Sequence, residues 1–378
     1  FNPQPAIRDF CLSRGLGDVY KRQPFIIIKF MKTSAFSEIV QIDNELISLC
    51  RLPWHQLENK EVVVTGASGF LGGSIIRFLL SLYPSGLIAN PLRVKGIIRS
   101  KESDLSSLET YLDNDCLQIE ICDLSKVDTI NLGSPDYVIH AASHASPKYY
   151  SLDPVGILLS NSAGTSALLS ASNQSTRFLF ISSSEVYGLS NSDHPIAESD
   201  FGSLDPTVLR SCYSEAKRFG ESLVTCWHRQ HGLHTNIVRP FHTYGPGLRA
   251  NDGRVFSDFA YSVALRKNIT LTSSGSAVRA FCYASDAVSG IMHIMLSGKS
   301  GEAYNLANPN AVVSIKELAD ILSSFYNVPI NMSQPDVNYI PSSFSKLIPN
   351  VDKLTSLGWR PTVGIEEGFN RFIKAISI

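Results

Sequence analysis

The stretch Glu61-Val-Val-Val-Thr-Gly-Ala-Ser-Gly-Phe-Leu-Gly72 admits few folds. Its β-branched run reads as a strand buried on both faces of a parallel sheet. The run ends in Gly66-x-x-Gly69-x-x-Gly72, and Ile75, Ile76, Phe78, Leu79 and Leu80 continue at helical spacing. Strand, glycine turn and helix make the opening unit of a dinucleotide-binding sheet. The glycines let the backbone turn tightly and approach a pyrophosphate, and the helix N-terminus turns its free N–H groups toward the negative charge. Gly66, Ser68, Gly69, Phe70, Leu71 and Gly72 are therefore the expected cradle. A bare glycine pattern is weak evidence; one set between a buried strand and an amphipathic helix is more specific.

Further alternation follows. Strands are predicted over 94–98, 117–121 (closing in Asp123), 137–140, 178–181 and 235–238, with helices over about 155–170 and from Tyr213 to about His228. This is an α/β pattern: a doubly wound parallel sheet with helices on both faces and ligands outside the carboxyl ends of the strands. Residues 31–59 read as a helical extension, whose helix over 34–50 packs on the outside of the main domain with Glu38, Asp43 and Glu45 off its apolar stripe. Residues 60–243 are the expected cofactor domain. Residues 244–378 are a smaller, loop-rich, substrate-binding lobe with some segments interleaved. Within it Ser314-Ile-Lys-Glu317 reads as a capping box opening a helix. Residues 1–30 read as a disordered arm or a cloning or assembly scar, with Met31 the expected start; a natural arm or targeting segment is the rival reading.

A net charge of −1 provides no basic field for nucleic acid. The apolar run Phe25–Phe30 is far too short for a membrane span. Seven cysteines, an odd count with no Cys-x-x-Cys pair, point to a reducing compartment, expected to be cytoplasmic. His228, His231 and His234 lack the partner acids and cysteines of a metal site, so no metal is expected.

Tyr213-Ser-Glu-Ala-Lys217 sets a phenol and an ammonium one helical turn apart on one face. An unperturbed tyrosine is a poor base at neutral pH. A nearby lysine is expected to lower its pKa, so that Tyr213 takes a hydroxyl proton during hydride transfer. Lys217 would also hold a nicotinamide ribose. The strand over 178–181 delivers Ser182, Ser183, Ser184 and Glu185 to the pocket mouth: hydroxyls that can bind a substrate hydroxyl and a carboxyl that can shuttle a proton. Serines at strand ends also satisfy backbone groups, which is the plainer reading of Ser182.

The glycine unit, Asp123, His140-Ala-Ala-Ser143, Ser184-Glu185, Tyr213/Lys217 and Arg239-Pro240 together resemble the extended short-chain dehydrogenase/reductase family of nucleotide-sugar enzymes. The resemblance runs from about Lys60 to the C-terminus. It implies a Rossmann domain, a bound nicotinamide cofactor, a nucleoside-diphosphate sugar in the cleft and a homodimer paired through two long helices of each subunit. It also implies cofactor contacts from Asp123, Leu124, Ala141, Ala142, Ser143, Ser182 and Arg239, with Asn161 holding the site's geometry. Three segments are most similar to the UDP-glucuronate decarboxylases of that family: 145–155, 244–255 and Arg279-Ala-Phe-Cys-Tyr-Ala-Ser-Asp286. The Ser184-Glu185 pair matches them too, whereas 4,6-dehydratases carry Asp-Glu there and simple 4-epimerases usually lack the glutamate. On this resemblance Tyr213, Lys217, Ser184, Glu185 and Arg279 are catalytic, and Tyr150, His242, Arg249, Arg254 and Arg279 contact the substrate. The alternatives are a 4-epimerase or 4,6-dehydratase of the same family and, in another class, a non-catalytic cofactor-binding module.

The chain departs from the pattern at three places. His242 stands where the decarboxylases usually have asparagine. Gly247 stands where they have arginine, a role Arg249 is placed to take over. The second strand is followed by Arg99-Ser-Lys101, without the acid that would bind an NAD ribose. Arg99 suits the extra phosphate of NADP. An enzyme that recycles its cofactor keeps NAD, so NAD is the first expectation and NADP stays open.

Overall fold

The computed structural model describes residues 34–189, 194–250, 252–334 and 346–377. The expectation for residues 1–30 lies outside them. The elements are α1 (Ser34–Ser48), β1 (Glu61–Thr65), α2 (Phe70–Ser81), β2 (Arg93–Ile98), β3 (Leu117–Ile121), β4 (Tyr137–His140), α3 (Lys148–Leu152), α4 (Pro154–Asn161), α5 (Ala163–Ser170), β5 (Arg177–Ile181), α6 (Cys212–His231), β6 (His234–Pro240), β7 (His242–Tyr244), α7 (Val255–Ala264), β8 (Ile269–Leu271), β9 (Val278–Tyr283), α8 (Ala284–Ser297), β10 (Glu302–Leu306), β11 (Val312–Ser314), α9 (Ile315–Tyr326), β12 (Ile330–Met332), α10 (Asp352–Ser356) and α11 (Ile365–Ile376).

Seven strands form one parallel sheet in the order β10-β6-β5-β4-β1-β2-β3. Strand order reverses between β1 and β4, and a crevice opens there at the carboxyl ends. The valines of β1 show why the sheet is covered on both faces. Val62 and Val64 join a core with Ile75, Phe78 and Leu79 of α2 and Ile291 and Met295 of α8. Val63 points the other way, into a core with Phe178, Phe180, Leu168 and Val224. This is the two-residue period of a strand buried on both sides.

The predicted strands and the helix at Tyr213 are present, and three features differ. The helix expected over 155–170 is two helices, broken at Ser162 (φ −109°, ψ −82°). Side chains draw the backbone carbonyls there: Asn161 Nδ2 donates to Ile157 O, Ser162 Oγ to Leu158 O and Thr165 Oγ1 to Asn161 O. The second difference is α1, which packs on α8 and α11 rather than merely lying outside. Its Asp43 is buried, accepting from Tyr283 Oη at 2.9 Å and pairing with Arg371 at 3.2 Å. The third is β10, which returns from the C-terminal region to extend the sheet beside β6. A short β11-β9-β7 sheet, a β12-β8 pair and α7, α9 and α11 make the remaining lobe. The capping box at Ser314 forms, with Glu317 N–H donating to Ser314 Oγ and Ser314 N–H to the Glu317 carboxylate.

Candidate active site

A cavity of about 580 Å³ lies along the carboxyl edge of the large sheet. Its floor is the glycine turn, from Gly66 through Ser68, Gly69, Phe70 and Leu71 to Gly72. Gly66 has φ +69°, and a Cβ there would stand 2.8 Å from the Ala141 carbonyl oxygen. At Gly72 a Cβ would stand 2.2 Å from the Gly66 carbonyl. α2 starts behind Gly69 with no side-chain cap, so its leading N–H groups stay available to an anion.

Arg99, Asp123 and Leu124 line one end of the cavity. Arg99 does not stand free. Its Nη2 donates to Asp153 Oδ2 at 2.8 Å, its Nη1 to His144 Nε2 at 2.5 Å, and its Nε lies 3.5 Å from Asp123 Oδ1. Ala141, Ala142 and Ser143, just beyond β4, form the adjoining wall. Asn161 sits behind that wall, fully buried, and donates to Ser143 Oγ at 2.9 Å. Its contact is with a wall residue, not with the cavity.

At the other end Tyr213 and Lys217 line the cavity, both almost fully buried. Lys217 Nζ donates to Ile181 O at 2.8 Å, and burial lowers its pKa to about 7. Tyr213 is raised above the ordinary phenol value, first by burial and then by the charge of Glu185, while a Ser183 hydroxyl hydrogen bond, Arg254 and Arg210 oppose the rise. The expected lowering of Tyr213 by Lys217 is thus not what this arrangement produces. The amine donates to the strand end and lies 5.8 Å from the centre of the Tyr213 ring, while burial of the phenol sets the direction of its shift.

Ser182, Ser183, Ser184 and Glu185 all reach the cavity wall. Ser182 Oγ donates to Glu221 Oε1 at 2.5 Å. Ser183, absent from the catalytic set read from the sequence, is the serine whose hydroxyl opposes the rise of the Tyr213 pKa. The signal was its place in the run Ser182-Ser183-Ser184, which sequence alone does not resolve. Arg210 was also missed. Its two Nη atoms grip Glu185 at 2.7 and 2.9 Å, and Ser214 Oγ donates to the same carboxylate at 3.1 Å. Burial pulls the pKa of Arg210 down, but the Glu185 hydrogen bonds and charge outweigh it. The readable signal was Arg210 three residues before Tyr213, at helical spacing.

His242, Arg249 and Arg254 line the facing wall. Burial, Arg279 and Arg254 together hold the His242 imidazole down to about 3, so it is neutral. Its Nδ1 is buried without a protein partner. Arg254 pairs with Asp252 and stands over the Phe256 ring. Arg249 straps the glycine turn, with Nη2 donating to Ser68 O at 2.7 Å and Asp104 O at 2.8 Å. It therefore holds the glycine-turn end of the cavity.

Three expected site residues stand off the cavity lining. Tyr150 is fully buried behind the wall: its hydroxyl donates to Ala145 O at 3.2 Å and its ring stacks on Tyr213 at 5.3 Å. It braces Tyr213, and Tyr149 stands on the wall. Arg239 forms a bidentate pair with Glu221 at 2.9 and 2.7 Å and donates to Tyr187 Oη and Glu198 O. It holds the sheet to α6 and is no part of the wall. Arg279 is buried on β9, donates to Val278 O and lowers the His242 pKa through its charge.

The glycine turn leaves room only for backbone beside a pyrophosphate, the helix N-terminus behind it is uncapped, and a buried Tyr–Lys pair lies farther along the cleft. These residues fit a nicotinamide dinucleotide. Fold and site together define a dinucleotide-dependent α/β enzyme of the Rossmann type. The chain belongs to the NAD dependent epimerase/dehydratase family, whose sequence profile matches residues 62–307. It is 32% identical to UDP-glucuronic acid decarboxylase 5 of Arabidopsis thaliana over 312 residues, covering 82% of this chain and 87% of that protein. It is 30% identical to UDP-glucuronic acid decarboxylase 1 of Danio rerio, covering 85% and 73%. Among solved structures, UDP-glucose 4-epimerase of Thermotoga maritima superposes with TM-score 0.70 at 21% identity, covering 83% of this chain and 98% of that one. UDP-glucuronic acid 4-epimerase of Bacillus cereus, solved with UDP-glucuronic acid and NAD, gives 0.68 at 23%, covering 84% and 98%. At these identities the two structures speak for the fold.

Proposed function

We propose that the protein decarboxylates UDP-glucuronate to UDP-xylose through a 4-keto sugar, with NAD held and regenerated within each turnover. The observation that carries this reading is Glu185, which follows the serine run at the end of β5, shares the cavity with Tyr213 and is gripped by Arg210. The names of the relatives support it.

NAD, when bound, accepts hydride from C4 and later returns it, so no net redox change results. Tyr213 takes the proton of the sugar 4-hydroxyl. The 4-ketone then stands β to the C6 carboxylate, the C5–C6 bond breaks, and its electron pair passes onto O4 as an enolate while carbon dioxide leaves. Tyr213, Ser183 and Ser184 surround the developing oxyanion with hydroxyl donors. The Glu185 carboxylate, fixed by Arg210 and Ser214, orients the water that delivers a proton to C5. His242, as a neutral ring, and Arg254 line the opposite wall, and the charge of Arg279 adds a positive field there.

A homodimer fits the surface: Val155, Leu158 and Leu159 of α4 and Phe219 of α6 expose an apolar face. Among the described residues no helix is long and apolar enough to cross a membrane, and six cysteines are free thiols. Both support the cytoplasmic location read from the sequence.

The test is incubation with UDP-glucuronate followed by product mass. A product lighter by carbon dioxide is expected. An isomer of unchanged mass would identify a 4-epimerase, and loss of water a dehydratase. Inertness toward UDP-, dTDP-, GDP- and CDP-sugars would favour a binding module. Tyr213→Phe should abolish turnover and still bind NAD.

A further inference from the structure

We propose that Asp153 is the selectivity determinant at the adenosine end of the cleft: by engaging Arg99 it commits the site to the ribose diol of NAD and closes it to the 2′-phosphate of NADP. The proposal rests on reading the cavity as a dinucleotide site. An arginine just beyond the second strand is the usual recognition group for a 2′-phosphate, and by sequence alone Arg99 would take that role.

The structure occupies Arg99 on all three guanidinium nitrogens. Nη2 faces Asp153 at 2.8 Å, Nη1 faces His144 Nε2 at 2.5 Å, and Nε faces Asp123 at 3.5 Å. His144 accepts as a neutral ring, stacked on Tyr149 at 4.1 Å, so it adds no cation to the cluster. Lys126 reaches the other oxygen of Asp123 at 3.3 Å but is 78% exposed. A phosphate carrying about −1.5 to −2 charge would therefore have to displace an aspartate from Arg99 and stand beside two carboxylates. A ribose diol carries no charge and meets no such conflict.

Arg99 is about two-fifths exposed, and an isolated surface pair there would be weak. Asp153 is no mobile partner, however. Its Oδ1 accepts from Gly156 N–H at 3.1 Å, capping α4 behind Pro154, while Oδ2 faces Arg99. One carboxylate thus does two separable jobs. Asparagine can keep the cap through its amide oxygen and lacks the charge. Serine also caps and is too short to reach the guanidinium.

Titration calorimetry with NAD and with NADP tests this on the wild-type chain, Asp153→Asn, Asp153→Ser, and Asp153→Asn combined with Arg99→Ala, each checked for an unchanged melting profile. Wild type should prefer NAD by about tenfold or more, and both Asp153 variants should bind NADP about tenfold more tightly with NAD altered less than about threefold. Adding Arg99→Ala should erase the gain. An unchanged NADP-to-NAD affinity ratio in both Asp153 variants, with NAD binding intact, overturns the proposal alone. So does a gain that survives Arg99→Ala. Absence of binding of either dinucleotide to every form would overturn the cofactor reading and this proposal with it.

Discussion

Arg210 closes a bidentate ion pair on Glu185, at 2.7 and 2.9 Å, three residues ahead of the Tyr213 phenol. The same guanidinium lies over the Tyr150 ring at 4.6 Å, and Tyr150 stacks on Tyr213. One cation therefore positions both the Glu185 carboxylate and, through Tyr150, the Tyr213 ring. Removing it leaves Glu185 partly buried and unpaired beside a phenol that its charge already raises. Arg210→Gln should lower kcat by about 100-fold and destabilise the fold by about 3 kcal/mol, with Arg210→Lys recovering part of the rate. The Arg210→Gln pH–rate profile should also move to higher pH, because Tyr213 loses a lowering neighbour. A near-normal rate with an unshifted profile would count against this positioning role.

Ser183 and Ser184 should not be equivalent. The Ser183 hydroxyl lowers the Tyr213 pKa and accepts the Glu185 N–H at 3.2 Å. Ser183→Ala should therefore cost about 10²-fold in kcat, with Ser184→Ala milder. Equal losses, or the reverse order, measured by product mass over time would reject the assignment.

Lys217 gives stability a defined pH dependence. Its amine titrates near 10.5 when unfolded and about 7 when folded. Between those values the unfolded chain binds the extra proton, so this residue's contribution to stability rises with pH from about 7 to 10.5 and is lost as pH falls back through that window. Melting curves from pH 7 to 10 should show a wild-type melting temperature that gains on Lys217→Met as pH rises. Parallel curves would show that the buried lysine titrates normally.

Arg239 is expected to behave as scaffold. With both Nη atoms and Nε engaged by Glu221, Tyr187 and Glu198, Arg239→Gln would strand the Glu221 carboxylate. The expected loss is about 3–5 kcal/mol in denaturant unfolding, with NAD affinity of the folded fraction preserved. A selective loss of NAD affinity at unchanged stability would restore a direct cofactor role.

How far each residue was readable follows from how local its partners are. The glycine turn was legible because its requirements are met within twelve consecutive residues: a buried run, a left-handed Gly66, and a helix whose first N–H groups need no cap. Tyr213 and Lys217 were legible because one helical turn fixes their neighbourhood. The outcome differed where a side chain could reach more than one partner. Tyr150 and Tyr149 are adjacent, and only the stacking of Tyr150 on Tyr213 set it off the cavity while Tyr149 lines it. Arg239 and Arg279 carried the right charge at suggestive places, yet Glu221 holds the first and β9 buries the second.

The sequence by itself determined the succession of strands and helices from residue 61 to 238, the glycine turn and the Tyr–Lys pair, because each depends on periodicity and spacing along the chain. Tertiary structure alone decided what the charges do. Arg99, read alone, suits the extra phosphate of NADP; in the fold it meets Asp153, 54 positions away, and Asp123 just beyond the neighbouring strand. A charge acts through whatever stands within a few ångströms of it, and at that range the neighbours are set by how the strands and helices assemble.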